Sequence, residues 1–274
     1  MNLKDSNYRS GSFIAIMLAL ALSACAGAPT AGETAAARAE LAPTGKLRVA
    51  LLMGSALFVK KDPASGEARG GLAVEAGRAL AARLGVPFEP VGYATIGKFM
   101  EAVKSGDWDV IVVGIDPARA AVLDFTAPFV EVDSTYLVPG NSPILRATDA
   151  DQSTVRIAVV AKSGQDLYFA RNPLRHAALV RGEGAPATFE LLKSGEAHAF
   201  AENRQVLMAF SKQLPGSRIL KDRFDVLPIA IALPKGRTAG LAYAQDFVQR
   251  ATGAGEVQEW LQRSGLNGAR VAAR

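Results

Sequence analysis

Two short stretches hold the side chains best suited to chemistry. Gly114-Ile115-Asp116-Pro117-Ala118-Arg119 and Glu202-Asn203-Arg204 each follow an apolar run, and each opens a helical pattern. Backbone N–H groups at a helix start can converge on a small anion, and a guanidinium such as that of Arg119 can fork onto a carboxylate. Arg119 also has a structural reading, as the partner of Asp116 or Asp124. Asp116 ahead of Pro117 fits an N-cap with proline in the first helical position. Ser163 can cap a helix and still touch a ligand. Arg204 has the alternative of lying solvated on its helix. Phe58 and Tyr93 are the aromatic candidates for a cleft wall, whereas Trp108, beside a strand, reads as core.

Other chemistry has no footing in the sequence. His176 and His198 stand alone and read as structural, and no His/Cys group has metal-ligand spacing. A Gly-x-Ser-x-Gly elbow, a P-loop and a Gly-x-Gly-x-x-Gly turn are all missing. The expectation is therefore no cofactor, no metal and no catalysis. The net charge of +5 is spread along the chain without a Lys/Arg run, which argues against nucleic acid.

The elements that must position these residues follow from periodicity. Strands are expected at Leu47–Leu52, Val86–Val91 and Asp109–Val113, with helices at Leu72–Leu84 and from Thr95 to Gly106 between them. After a connection from Ser134 to Ala150 the order repeats. Strand Arg156–Val160, helix Gln165–Arg171, strand Ala178–Arg181, helix Thr188–Lys193 and strand Ala197–Ala201 complete a second β-α-β-α-β unit. Lys104-Ser105-Gly106 and Lys193-Ser194-Gly195 close the corresponding helices. Open parallel sheets bind ligands beyond the carboxyl ends of their strands, which places both charged stretches in one cleft between two like-built α/β lobes.

The ends carry a different signal. Lys4 and Arg9 precede an apolar run from Phe13 to Leu22, too short for a permanent span, so residues 1–24 read as a signal peptide. Leu22-Ser23-Ala24-Cys25 resembles a bacterial lipobox, with Cys25, the single cysteine, as the lipidated residue; cleavage after Ala24-Cys25-Ala26 is the alternative. Removing Lys4, Arg9 and Asp5 lowers the net charge to +4. Residues 25–45, rich in Ala, Gly, Pro, Thr and Glu, read as a flexible tether.

Gly114-Ile115-Asp116-Pro117-Ala118-Arg119, followed by Asp124-Phe125-Thr126-Ala127-Pro128-Phe129, resembles the Thr-Pro-Glu-Arg and Asp-Phe-Ser/Thr-x-Pro-Tyr segments of the family 3, amino-acid-type bacterial solute-binding proteins. The likeness extends over about residues 46–265. It implies a type II periplasmic-binding fold: lobe 1 from 46–135 plus 230–265, lobe 2 from 136–229, and a tail at 266–274. Crossings near Ser134–Pro139 and Asp225–Leu233 would serve as hinges, and the C-terminal helices would pack on lobe 1. The resemblance also implies Arg119 as the grip on a ligand carboxylate and Ser163 as the hydroxyl beside it. Asn203 stands where amino-acid binders place an aspartate for the ligand ammonium, Asp116 replaces the motif threonine, and Ala73 replaces another aspartate. Ligand candidates are Arg119, Ser163, Asn203, Asp116, Arg204, Glu202, Phe58 and Tyr93. The implied protein is a monomeric, lipid-anchored periplasmic binder that delivers an amino acid or small organic anion to an ABC permease. A prephenate- or arogenate-type dehydratase with Glu202 as general acid and a ligand-presenting sensor are the alternatives.

Overall fold

The computed structural model describes residues 30–273; the leader and Cys25 lie outside the described residues. A first helix, α1 (Ala31–Leu41), leads into strand β1 (Leu47–Leu52). A small hairpin of β2 (Lys60–Lys61) and β3 (Ala68–Gly70) precedes α2 (Leu72–Leu84) and β4 (Phe88–Tyr93). Then come α3 (Ile96–Glu101), β5 (Val110–Gly114), α4 (Pro117–Ala120) and β6 (Leu123–Phe125). The long β7 (Val130–Val138) crosses to β8 (Arg156–Val160), α5 (Gly164–Arg171), β9 (Ala178–Gly182), α6 (Ala185–Lys193), β10 (Ala199–Asn203) and α7 (Arg204–Ser211). After β11 (Arg218–Ile219), β12 (Asp225–Pro234) returns to α8 (Thr238–Gly253), α9 (Glu256–Arg263) and β13 (Arg270–Val271).

Apart from the separate β2–β3 hairpin, the strands form one hydrogen-bonded sheet with the main order β4-β1-β5-β12-β7-β10-β8-β9, β6 adding to β12 and β11 and β13 to β7. Its two ends are parallel: β1 between β4 and β5, and β8 between β9 and β10. The middle is antiparallel, because β7 and β12 each serve both ends. β12 pairs β7 through Asp225–Ile229 and β5 through Ile229–Ala232, while β7 pairs β10 through Ser134–Leu137. Two lobes thus share a pair of central crossing strands.

The apolar periodicity explains the helices. α2 buries Leu72, Ala76, Leu80 and Leu84 on one stripe, and Gly85 ends it in the left-handed region (φ 71°). Val86 N–H then bonds back to Ala81 O, so the chain joins the sheet at Phe88 and not at Val86 as the pattern suggested. Trp108 is buried edge-on to Phe99, 4.9 Å between centroids, as a core residue. α8 and α9 pack beside α2: Tyr243 Oη donates to Arg83 O, and Arg263 pairs with Glu75.

The flexible-tether reading fails over residues 31–41. A capping box, with Thr30 Oγ accepting from Glu33 N–H and the Glu33 carboxylate accepting from Thr30 N–H, nucleates α1. Ala37 and Leu41 are fully buried against α8, and the Glu40 carboxylate accepts from Gly240 N–H. Alanine-rich composition looked like a linker because only two positions face the core. At the other end, residues 270–271 add β13 to β7, and Arg270 pairs with Asp133.

Candidate functional site

A cavity of about 70 Å³ lies between the two halves of the sheet. It is walled by Phe58 and Arg119 on the β1/β5 side and by Ser163, Gln165, Glu202 and Asn203 on the β8/β10 side, with Leu227 of β12 at the crossing. The volume holds roughly five waters. Backbone approach at the crossing is close: a Cβ on Gly114 would sit 2.7 Å from Leu227, and one on Gly164 would sit 2.9 Å from it. The first residues of α5 and α6, capped by Ser163 and Gly184, face this space, so their free N–H groups border it.

Arg119 is buried at 4% exposure and crosses the cleft. Its Nη1 donates to Gly114 O at 2.9 Å in its own lobe, and its Nη2 donates to Lys162 O at 3.0 Å in the other. Lys162 adopts φ 61°, the left-handed region that a β-branched or bulky residue avoids, and this turn supplies the accepting carbonyl. Nε of Arg119 is buried with no protein partner. Burial pulls the guanidinium down to about 10, so it remains a cation at neutral pH.

The opposite wall is a chain of amides ending in an acid. Gln165 Nε2 donates to Ser134 Oγ at 2.8 Å and to Asn203 Oδ1 at 3.0 Å. Asn203 donates to Glu202 Oε1 twice, from its backbone N at 2.7 Å and from Nδ2 at 2.8 Å. Glu202 is 7% exposed, and burial pushes its carboxyl up to about 7 against the lowering effect of those two bonds. Asn203 precedes α7 without capping it, since its side chain is already engaged. β10 runs to Asn203, two residues beyond its expected end, which fixes Glu202 and Asn203 on a strand.

Five of the eight sequence candidates meet on this cavity: Phe58, Arg119, Ser163, Glu202 and Asn203. Asp116 does not line it. Asp116 caps α4 through Ala118 N–H and pairs, buried, with Arg171 of α5 across the lobes. Arg204 turns away, donating to the carbonyls of Leu220 and Lys221, because the α7 start points it at the loop before β12. Tyr93 packs edge-on to Phe99 inside its lobe. Gln165, Leu227 and Thr95 line the cavity and were missed; only Gln165 had a signal, its place in the first turn of the helix after β8. Among the described residues no group of His, Cys, Asp and Glu is arranged to hold a metal.

Residues 47–265 match the bacterial extracellular solute-binding proteins, family 3, and the chain belongs to that family. Its members are mainly binding proteins without catalytic activity. Solved structures show the same fold. An L-cysteine solute receptor of Neisseria gonorrhoeae superposes with a TM-score of 0.73 at 24% identity, covering 85% of this chain and 94% of that one. An amino acid ABC transporter substrate-binding protein of Streptococcus pneumoniae bound to L-arginine gives 0.71 at 22%, covering 82% and 96%. An ancestral amino acid-binding protein, a precursor of cyclohexadienyl dehydratase, gives 0.71 at 23%, covering 82% and 96%. No curated protein sequence is significantly similar to this one.

Proposed function

We propose that this protein captures an amino acid or related small carboxylate between its lobes and hands it to an ABC permease, with Arg119 as the carboxylate anchor. The supporting observation is a buried cation on the wall of an interlobe cavity, with one N–H lacking a protein acceptor. A carboxylate there would satisfy Nε and draw on the N–H groups at the starts of α5 and α6, beside the Ser163 hydroxyl. Solved relatives of the same fold bind L-arginine and, as receptors, L-cysteine, which supports an amino acid here. β7 and β12, the two strands common to both lobes, are the hinge in this reading. The division at 46–135 plus 230–265 and 136–229 places these crossings at its borders.

Export and lipidation at Cys25 complete the proposal, with the protein held at the periplasmic face of a membrane and acting as a monomer. Cys25→Ser should release it to the soluble fraction; a soluble wild-type protein lacking Cys25 would exclude the anchor. A thermal-shift screen of amino acids, hydroxy acids, dicarboxylates and aromatic acids tests the ligand class, and the expected outcome is stabilisation by small carboxylates. A dehydratase remains the second reading because Glu202, held near pH 7, is a carboxylic acid able to protonate a leaving hydroxyl. Turnover of prephenate or arogenate that Glu202→Gln abolishes would establish it.

A further inference from the structure

The cavity is small because both lobes are closed on it. Arg119 of α4 reaches across to Lys162 O, and buried Asp116 pairs with Arg171 of α5. Thr95 and Gly184, which line the cavity from opposite lobes, stand so close that a Cβ on Gly184 would lie 3.4 Å from the Thr95 methyl. The enclosed space is about 70 Å³. As packed organic matter, the equivalent of roughly five waters is room for about six or seven non-hydrogen atoms. With a carboxylate placed on Arg119, little room is left for a side chain.

One side chain fills the space that would make the cavity larger. Leu227 belongs to the part of β12 that pairs with β7, opposite Val132, so the crossing strands hold its backbone in place. It shares a face of β12 with Ile229, which stands opposite Gly114, and it is therefore the diagonal neighbour of Gly114 on that face. Its two methyl groups sit in the gap left by two glycines, one from each lobe. A Cβ on Gly114, at the end of β5, would lie 2.7 and 2.9 Å from them, and one on Gly164, at the start of α5, 2.9 and 3.1 Å. This is the corner where Gly114 O accepts from Arg119 and where Gly164 follows Ser163. Leu52, Phe58, Ile96, Val113 and Val160 also wall the cavity, but each belongs to a single lobe. Among the lining residues, Leu227 alone stands on a strand common to both.

We infer that Leu227 sets the upper size of the ligand, so that the cavity closes on carboxylates no larger than alanine, lactate, serine or cysteine and excludes branched, aromatic and long side chains. This rests on the reading above, in which the cavity takes a small carboxylate. A larger ligand has two ways in, and both are unfavourable. It can hold the lobes apart, which breaks the Arg119 bond to Lys162 O. Otherwise it must push Leu227 against the backbone at Gly114 and Gly164, where there is no slack to absorb it. In a fitted apolar pocket one surplus methylene already lowers affinity by about tenfold or more. Leu227 is thus a specificity-determining residue as well as a core one.

The test is calorimetry on the full chain, with glycine, L-alanine, L-lactate, L-serine and L-cysteine set against L-leucine, L-phenylalanine and L-arginine. Wild type should bind the best of the short series at least about tenfold tighter than any of the long one. Leu227→Ala turns an isobutyl group into a methyl and should admit L-leucine and L-phenylalanine, whose affinity rises by about tenfold or more while that of L-alanine does not. Leu227→Val keeps most of the packing and should move the limit the same way by less, which serves where the alanine variant does not fold. Ile229→Val, on the same face of β12 but off the cavity wall, should keep the wild-type range. Wild type that binds L-leucine or L-phenylalanine as tightly as the short series overturns the inference, as do folded Leu227→Ala and Leu227→Val variants with an unchanged range. If Arg119→Ala then abolishes binding, this inference alone fails and the carboxylate reading stands. If no member of either series binds wild type, both fall.

Discussion

The two arginines that open helices after a third strand, Arg119 and Arg204, meet opposite fates. Both follow β5 or β10, and both ride the first turn of the next helix. Arg119 sits three residues into its loop-helix junction, so its guanidinium folds under Gly114 and reaches Lys162 across the cleft. Arg204 stands directly after Asn203, and the strand has already committed Glu202 and Asn203 to the cavity, so Arg204 faces outward to the carbonyls of Leu220 and Lys221. One arginine bridges lobes, and the other staples a loop within its lobe. Equal residue type and equal element order do not fix direction; the spacing from the strand end does, since β5 and β10 are equally long but Arg119 stands beyond a short loop after Gly114 and Arg204 directly after Asn203.

Substitutions separate these roles, and the largest effect belongs to Arg119. Arg119→Ala should weaken ligand binding by about 2–5 kcal/mol, roughly thirtyfold to several thousandfold, with Arg119→Lys recovering little because an ammonium cannot reproduce the planar fork. Calorimetry on a folded variant with near-wild-type affinity would make Arg119 a structural strut only.

Next comes the pH dependence of stability. Glu202 has its carboxyl raised from 4.5 to about 7 in the fold, so its ionisation opposes folding: its contribution is full below pH 4.5 and is lost as pH rises through 7. Glu202→Gln should therefore match wild type near pH 4.5 and exceed it at pH 8 by on the order of 3 kcal/mol or less. Denaturant unfolding at both pH values reads this directly, and a difference that grows toward acid would contradict the sign.

Arg204→Ala should lower unfolding stability by about 1.5–3 kcal/mol through its lost carbonyl bonds and leave affinity untouched. A tenfold loss of affinity would put Arg204 back at the ligand. The smallest effect is expected at Asp116→Asn, which keeps the cap of α4 but removes both the ion pair with half-exposed Arg171 and the charge that supports buried Arg119, together about 1–2 kcal/mol. Small-angle scattering should then show a larger ligand-free radius of gyration as the lobes part; no change would mean that the pair does not hold them.

Much of this was legible in residue order. The β-α-β-α-β pattern located β1, α2, β5, β8, α5 and β9 to within a residue or two, because buried parallel strands and one-sided helices leave strong apolar periods. The helix α1 was not legible, since Ala37 and Leu41 reveal their burial only once α8 is packed beside them. The likeness of the Asp116-to-Phe129 segment to a known family pointed to Arg119, and the carboxyl-end rule pointed to Glu202 and Asn203. It could not tell Asp116 and Tyr93, which turn into the protein, from Gln165 and Leu227, which line the cavity.

Local order along the chain determined the kinds of elements, their succession and the presence of two charged loops, each with one acid and one arginine, after matching strands. Only the tertiary structure decided which side chains face one another. Arg119 and Glu202 are 83 residues apart in the chain, and they line one cavity because β7 and β12 cross between the lobes and bring two sheet ends together. Periodicity records which face a residue is on. It carries no information about what stands across the cleft, which is set by the long-range pairing of strands.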